Sequence, residues 1–172
     1  VLHYLLTKAK TTKFGLAHEF GAILNNDMVS SYQSSVPIMD YDAFYEKWLK
    51  YSILGEKDNT WRGRIKYYAL SSGTTGSPSK RIPVTSEMIR SFQKSSLKQL
   101  SILHSLDLPQ SFYSTSILTV GGSTKLNYKD THVEGDLSGI LKKHTSFIAT
   151  PFTKPGARIS GVKDWSKKLD LI

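Results

Sequence analysis

The sequence has no cysteine among its 172 residues. Disulfides, thiolate metal sites and cysteine nucleophiles are therefore excluded, while the question of compartment stays open. No apolar run approaches the ~20 residues needed to span a bilayer, so no membrane partner is expected. The opening Val-Leu-His-Tyr-Leu-Leu-Thr-Lys-Ala-Lys has neither the basic stretch nor the small-residue cleavage site of an export signal, and a cytoplasmic setting is the expectation. Like-charged blocks of five or more are missing, although the net charge is +9. A solvated basic surface accounts for that charge better than a nucleic-acid patch does. There is no H-E-x-x-H and no pair of histidines three or four residues apart, so no metal site is expected. The G-x-S-x-G elbow of serine hydrolases, the Walker loop and the Rossmann G-x-G-x-x-G are absent too.

Hydrophobic residues make up 39% of the chain and charged residues 22%, which suits a folded protein of one ordinary domain. Both ends read as cuts in something longer. Residue 1 is Val inside an apolar stretch, and Lys-Lys-Leu-Asp-Leu-Ile closes the chain without a cap. Residues 1–24 predict helix with a break at Gly15, and Val36-Pro37-Ile38 predicts an extended connector. Asp40 then caps a helix whose Tyr41, Phe44, Tyr45, Trp48 and Leu49 form one core-facing stripe. A turn is expected over Asn59 to Gly63 and a strand over Ile65 to Leu70. A helix from Thr85 or Ser86 offers Ile89, Phe92, Leu97, Leu100 and Leu103 for burial. Thr115 to Val120 reads as a strand that Gly121-Gly122 breaks, 125–134 as a polar loop, and Asp136 as the start of a short helix through Leu141. Lys154 to Gly161 reads as loop, with Trp165 in a last helical stretch. Strands and helices in this order imply a mixed α/β layer, a sheet flanked by helices.

The informative segment is Ser71-Ser72-Gly73-Thr74-Thr75-Gly76-Ser77-Pro78-Ser79-Lys80. Phosphate oxygens need many donors at close range. Gly73 and Gly76 let successive backbone N–H groups approach one anion. The hydroxyls of Ser71, Ser72, Thr74, Thr75 and Ser77 each add a donor, and Lys80 adds a full positive charge. A plain Ser/Gly linker does not require two glycines, a proline and a terminal lysine directly after a strand.

This segment resembles the phosphate loop of the adenylate-forming, luciferase-like superfamily. The flanks narrow the resemblance: Leu5-Leu6-Thr7-Lys8-Ala9-Lys10-Thr11-Thr12-Lys13-Phe14-Gly15, Val36-Pro37-Ile38-Met39-Asp40-Tyr41, Lys80-Arg81-Ile82-Pro83-Val84-Thr85 and Gly135-Asp136-Leu137-Ser138-Gly139-Ile140-Leu141. In this order they are similar to the auxin-responsive Gretchen-Hagen-type acyl-acid amido synthetases. The resemblance implies that 1–172 is the N-terminal portion of an adenylation domain, with the C-terminal domain not in this sequence. It implies ATP and Mg²⁺ as cofactors, with Ser71 to Lys80 on the β- and γ-phosphates and Thr74 and Thr75 near the metal-bound triphosphate. It implies a carboxylic acid and an amino acid as partners, and Gly121, Gly122 and Ser123 at the border of the acyl pocket; a tight turn after a strand explains those three equally well. In one respect the loop departs from the pattern. The amido synthetases often carry their second glycine where this chain has Ser77, and Gly76 followed by Pro78 is closer to phenylacetate–CoA ligases, which keeps a carboxylate–CoA ligase open as an alternative.

Two further patterns compete for attention. His132, Glu134 and Asp136 alternate as a chelating strand would, yet lie in a polar segment that predicts a solvated loop. Trp61-Arg62-Gly63-Arg64-Ile65-Lys66-Tyr67-Tyr68 interleaves basic and aromatic residues as single-strand binders do. It equally suits a strand leading into the glycine loop, which is the preferred reading; a basic nucleic-acid-binding module is the rival from another class.

Overall fold

The computed structural model describes residues 1–71, 79–103, 105–145 and 150–172. The chain forms two compact units, Val1–Ile65 and Lys66–Ile172.

The first unit is helical. Helices α1 (Leu2–Ala9), α2 (Lys13–Ala17), α3 (Phe20–Ile23) and α4 (Met28–Ser35) precede α5 (Tyr41–Phe44), which runs through a widened π turn, Tyr45–Leu49, into α6 (Lys50–Ile53). The expected break at Gly15 falls elsewhere. Thr12 is extended and its Oγ1 accepts the Gly15 N–H at 3.0 Å, which starts α2. Glu19, at φ 51°, then separates α2 from α3. Gly15 lies inside α2, at a position where a Cβ would stand 2.0 Å from the Ala9 carbonyl oxygen. Its absent side chain permits close contact between turns. Leu6, Ala9, Phe20 and Ile23 form the core, with Phe14 packed against them. The Phe14 ring lies 5.2 Å from Trp48 and 5.8 Å from Phe20, both edge to face. The stripe read from the sequence holds: Trp48 and Leu49 are buried, and Tyr41, Phe44 and Tyr45 are half-buried. Asp40 caps α5 by accepting the Ala43 N–H at 2.8 Å. Val36 is extended ahead of Pro37, as expected. The turn at 59–63 is closed by Gly63, at φ 75°, whose N–H reaches Asp58 Oδ1 at 2.7 Å.

The second unit carries a mixed four-stranded sheet. Strand β1 (Tyr67–Leu70) pairs antiparallel with β2 (Arg81–Val84), and the chain continues into α7 (Ser86–Leu103) and β3 (Ile117–Leu118). Strands β4 (Asn127–Tyr128) and β5 (Val133–Gly135) follow, then α8 (Leu137–Lys143), β6 (Thr153–Lys154), α9 (Ala157–Ser160) and α10 (Trp165–Asp170). The sheet order is β2-β1-β5-β4, with β5 parallel to β1 and antiparallel to β4; β3 and β6 form a separate parallel pair. Side chains alternate across this sheet. Tyr67, Ala69, Val84 and Val133 share one face and pack with Ile89 of α7, Ile140 of α8 and Leu126.

Several expectations are corrected here. Strand β2 stands between the glycine loop and α7, where the sequence predicts no element, so the loop joins the two strands of a hairpin. Residues 125–134 contain β4 and the start of β5, and 154–161 contains the end of β6 and all of α9. Polar composition hid these strands because each is only two or three residues long. The strand expected over Thr115 to Val120 shrinks to Ile117–Leu118. In α7 only Ile89, in the turn that packs on the sheet, is buried; Phe92, Leu97 and Leu100 are exposed. Among the described residues no helix is long and apolar enough to cross a membrane.

Candidate functional site

Strands β1 and β2 bring the two ends of the 71–80 segment together. Beyond the Leu70–Arg81 rung, the Ser71 N–H donates to the Lys80 carbonyl at 2.9 Å, and the Lys80 N–H donates to Ser71 Oγ at 2.9 Å. The Ser71 hydroxyl oxygen thus accepts within the hairpin, and its proton is what it offers a ligand. Ser79 and Lys80 are exposed at the mouth. The predicted donors Ser72, Gly73, Thr74, Thr75, Gly76 and Ser77 lie outside the described residues. Pro83 fits this edge strand without loss. Counting rungs from the hydrogen-bonded Ser71–Lys80 pair, Pro83 falls where the backbone nitrogen faces away from β1. The missing N–H also blunts the outer edge against further strand pairing.

The opposite face of the sheet from the apolar core holds a polar network that the sequence reading assigned to a solvated loop. Glu134 on β5 is 4% exposed and His132 beside it 8%. One carboxylate oxygen, Glu134 Oε1, receives both the Arg81 Nε–H and, at 2.9 Å, His132 Nε2. His132 Nδ1 is 2.9 Å from Thr131 Oγ1. Burial pushes the Glu134 carboxyl up, but the hydrogen bonds and charges of His132 and Arg81 outweigh it and hold the group below its ordinary value, as carboxylate. Tyr68, in register with Glu134, is fully buried, with its ring edge to face with His132 at 5.0 Å. Burial raises its phenol well above the usual range. The signal was present in the sequence: His132 and Glu134 at period two, and Arg81 directly after the loop's lysine. The polar neighbours favour a solvated loop over a strand there, so the alternation alone does not reveal the network.

The predicted Gly121-Gly122-Ser123 segment is held by packing. Gly121 O accepts from the buried Lys168 Nζ at 2.7 Å, Gly122 N–H donates to Ser138 Oγ at 2.8 Å, and Ser123 Oγ donates to Gly161 O at 2.9 Å. A Cβ on Gly122 would stand 2.3 Å from Asp136 Oδ2. Nearby, Lys142 Nζ donates to Thr119 Oγ1 at 3.1 Å and Pro155 O at 3.2 Å. Burial first and the Lys168 charge second lower its pKa. Among the described residues no group of three or more His, Asp or Glu is placed to hold a metal ion.

Comparison with known proteins places this geometry in context. No curated protein is significantly similar to the chain. A solved structure described as "GH3.15 acyl acid amido synthetase" superimposes with a TM-score of 0.71 at 17% identity, which shows a common fold. The match covers 98% of this chain and 29% of that one, so the chain spans under a third of its solved relative. The model of the GH3 family N-terminal domain matches residues 1–169. The hairpin, the mixed sheet and the helices around them are therefore those of this domain, and the chain belongs to the GH3 family.

Proposed function

We propose that this chain supplies the triphosphate-binding hairpin of an ATP-dependent acyl-acid amido synthetase, as the N-terminal portion of its adenylation domain. The observation that carries the proposal is the closure of β1 and β2 at Ser71 and Lys80, which gathers a Ser-Ser-Gly-Thr-Thr-Gly-Ser-Pro-Ser-Lys segment between two strands in a GH3-family chain. The donor set fits a polyphosphate: hydroxyls, glycine amides and one ammonium group, with no acidic side chain in the segment. Mg²⁺ would arrive on the triphosphate and offset part of its charge, with Thr74 and Thr75 near the metal-bound phosphates.

The reaction runs in two transfers. A carboxylate oxygen attacks the α-phosphorus of ATP, the bond to the bridging oxygen breaks, and pyrophosphate leaves with that electron pair, giving an acyl-AMP. The amine of an amino acid then attacks the acyl carbon, AMP departs and the nitrogen loses a proton. The hairpin contributes by holding the β- and γ-phosphates in line and stabilising the departing charge; no nucleophilic side chain is required. ATP as a substrate accords with a cytoplasmic setting.

The full-length protein is expected to exchange radiolabelled pyrophosphate into ATP only when a suitable carboxylate is present. Absence of exchange across a broad panel of carboxylates, from a folded preparation, contradicts the proposal. AMP release that requires coenzyme A instead of an amino acid would move the chain to the ligase alternative.

A further inference from the structure

We infer that Glu134 is a positioning residue for the hairpin that presents Lys80, acting through Arg81 across the central strand. The inference rests on the proposed triphosphate role of the hairpin and adds to it a part of the molecule outside the loop. Its starting point is sheet order. Lys80 immediately precedes β2, a four-residue edge strand that among the described residues is paired on one side only, with β1. Edge strands are held by half the usual hydrogen bonds and are the first to part from a sheet. A lysine carried there contributes little to binding unless its strand is fixed, since each immobilised long side chain costs conformational entropy.

The Arg81–Glu134 contact supplies the fixing. Strands β2 and β5 are not neighbours; β1 lies between them. Arg81 opposes Leu70, and Glu134 opposes Tyr68 two residues earlier on β1. All four side chains are on the face opposite the apolar core by strand alternation. The guanidinium therefore reaches diagonally over β1 to a carboxylate on the far side. Glu134 is in turn fixed by its burial and by His132, which uses the same oxygen and is itself steadied by Thr131. Such a chain of hydrogen bonds orients the outermost group in the way outer-shell partners orient metal ligands. Arg81 is adjacent to Lys80, so what Glu134 fixes is the backbone from which Lys80 projects. An exposed surface pair would contribute little. Here the Glu134 side chain is 6% exposed and the Arg81 side chain 37%, so the contact is anchored at its inner end.

A test separates this role from simple support of the fold. In pyrophosphate exchange by the full-length protein, Glu134→Ala is expected to raise the KM for ATP about tenfold, the size typical of losing an orienting partner, with the KM for the carboxylate unchanged. Glu134→Gln, which keeps an acceptor for Arg81, is expected to recover most of the loss. In a Lys80→Ala background the Glu134→Ala change is expected to have little further effect, because both act through one group. Arg81→Met approaches the same link from its exposed end, and a protein that melts as the parent does should show the same rise in KM. An unchanged KM in Arg81→Met, or effects of Glu134→Ala and Lys80→Ala that simply multiply, overturns the inference while leaving the triphosphate role standing. A parent enzyme without any carboxylate-dependent exchange removes both.

Discussion

Lys80 is the only cation in a ten-residue segment otherwise made of hydroxyl residues, glycine and proline, and its chemistry sets the first prediction. A hydrogen bond to a charged group contributes ~1.5–3 kcal/mol, so Lys80→Ala should raise the KM for ATP by roughly tenfold to a hundredfold in the exchange assay. Glu134 gives a pH prediction that needs no ligand. Its carboxyl sits below the ordinary 4.5 in the folded chain, so folding favours the ionised form. That stability is fully present above 4.5 and is lost as pH falls through the depressed folded value. Thermal melts of the parent should fall as pH is lowered below about 4.5, and Glu134→Gln should flatten that part of the profile. Equal slopes for the two proteins would show that His132 and Arg81 do not hold the carboxylate. His144 behaves with the same sign at higher pH. Burial, then Lys143 and Lys66, lower its pKa, so it weakens the fold as pH falls below 6.5.

At the scale of elements, what was legible follows from how many residues signal the same thing. The α5–α6 stretch was readable because an Asp cap, an aromatic stripe and an upstream proline agree. Asp40→Ala should cost ~1 kcal/mol in chemical denaturation, the usual value of a lost N-cap. The hairpin was half legible: the glycine loop announced itself, but β2 was missed because Arg81-Ile82-Pro83-Val84 carries a proline, which the interior of a central strand does not accommodate. The network on the polar face was half legible as well, since His132 and Glu134 alternate at period two while Arg81 lies far away in the sequence. It depends on β5 lying parallel to β1, a pairing across more than sixty residues that no local pattern records. Gly121 and Gly122 read either as a pocket border or as a tight turn after a strand, and packing against Asp136 and Ser138 accounts for their lack of side chains. Gly122→Ala should therefore destabilise the fold by ~2 kcal/mol through overpacking, measured by denaturant titration. A neutral result would mean that Asp136 can move aside.

At the scale of the whole molecule, the two units divide the work differently. Val1–Ile65 is a helical body organised around Phe14 and Trp48, and Lys66–Ile172 carries the sheet, the hairpin and the polar network. The family assignment rests on both, since the GH3 N-terminal domain matches residues 1–169. The proposed reaction rests on one local claim, that the segment between β1 and β2 takes the triphosphate of ATP. Competitive labelling reads that claim at the residue concerned. The full-length protein is treated with an amine-reactive reagent with and without Mg·ATP, and each lysine is scored by mass spectrometry. The account predicts that ATP shields Lys80 while exposed lysines of the helical unit, such as Lys10 and Lys47, react as before. Labelling of Lys80 that is indifferent to saturating Mg·ATP would contradict it.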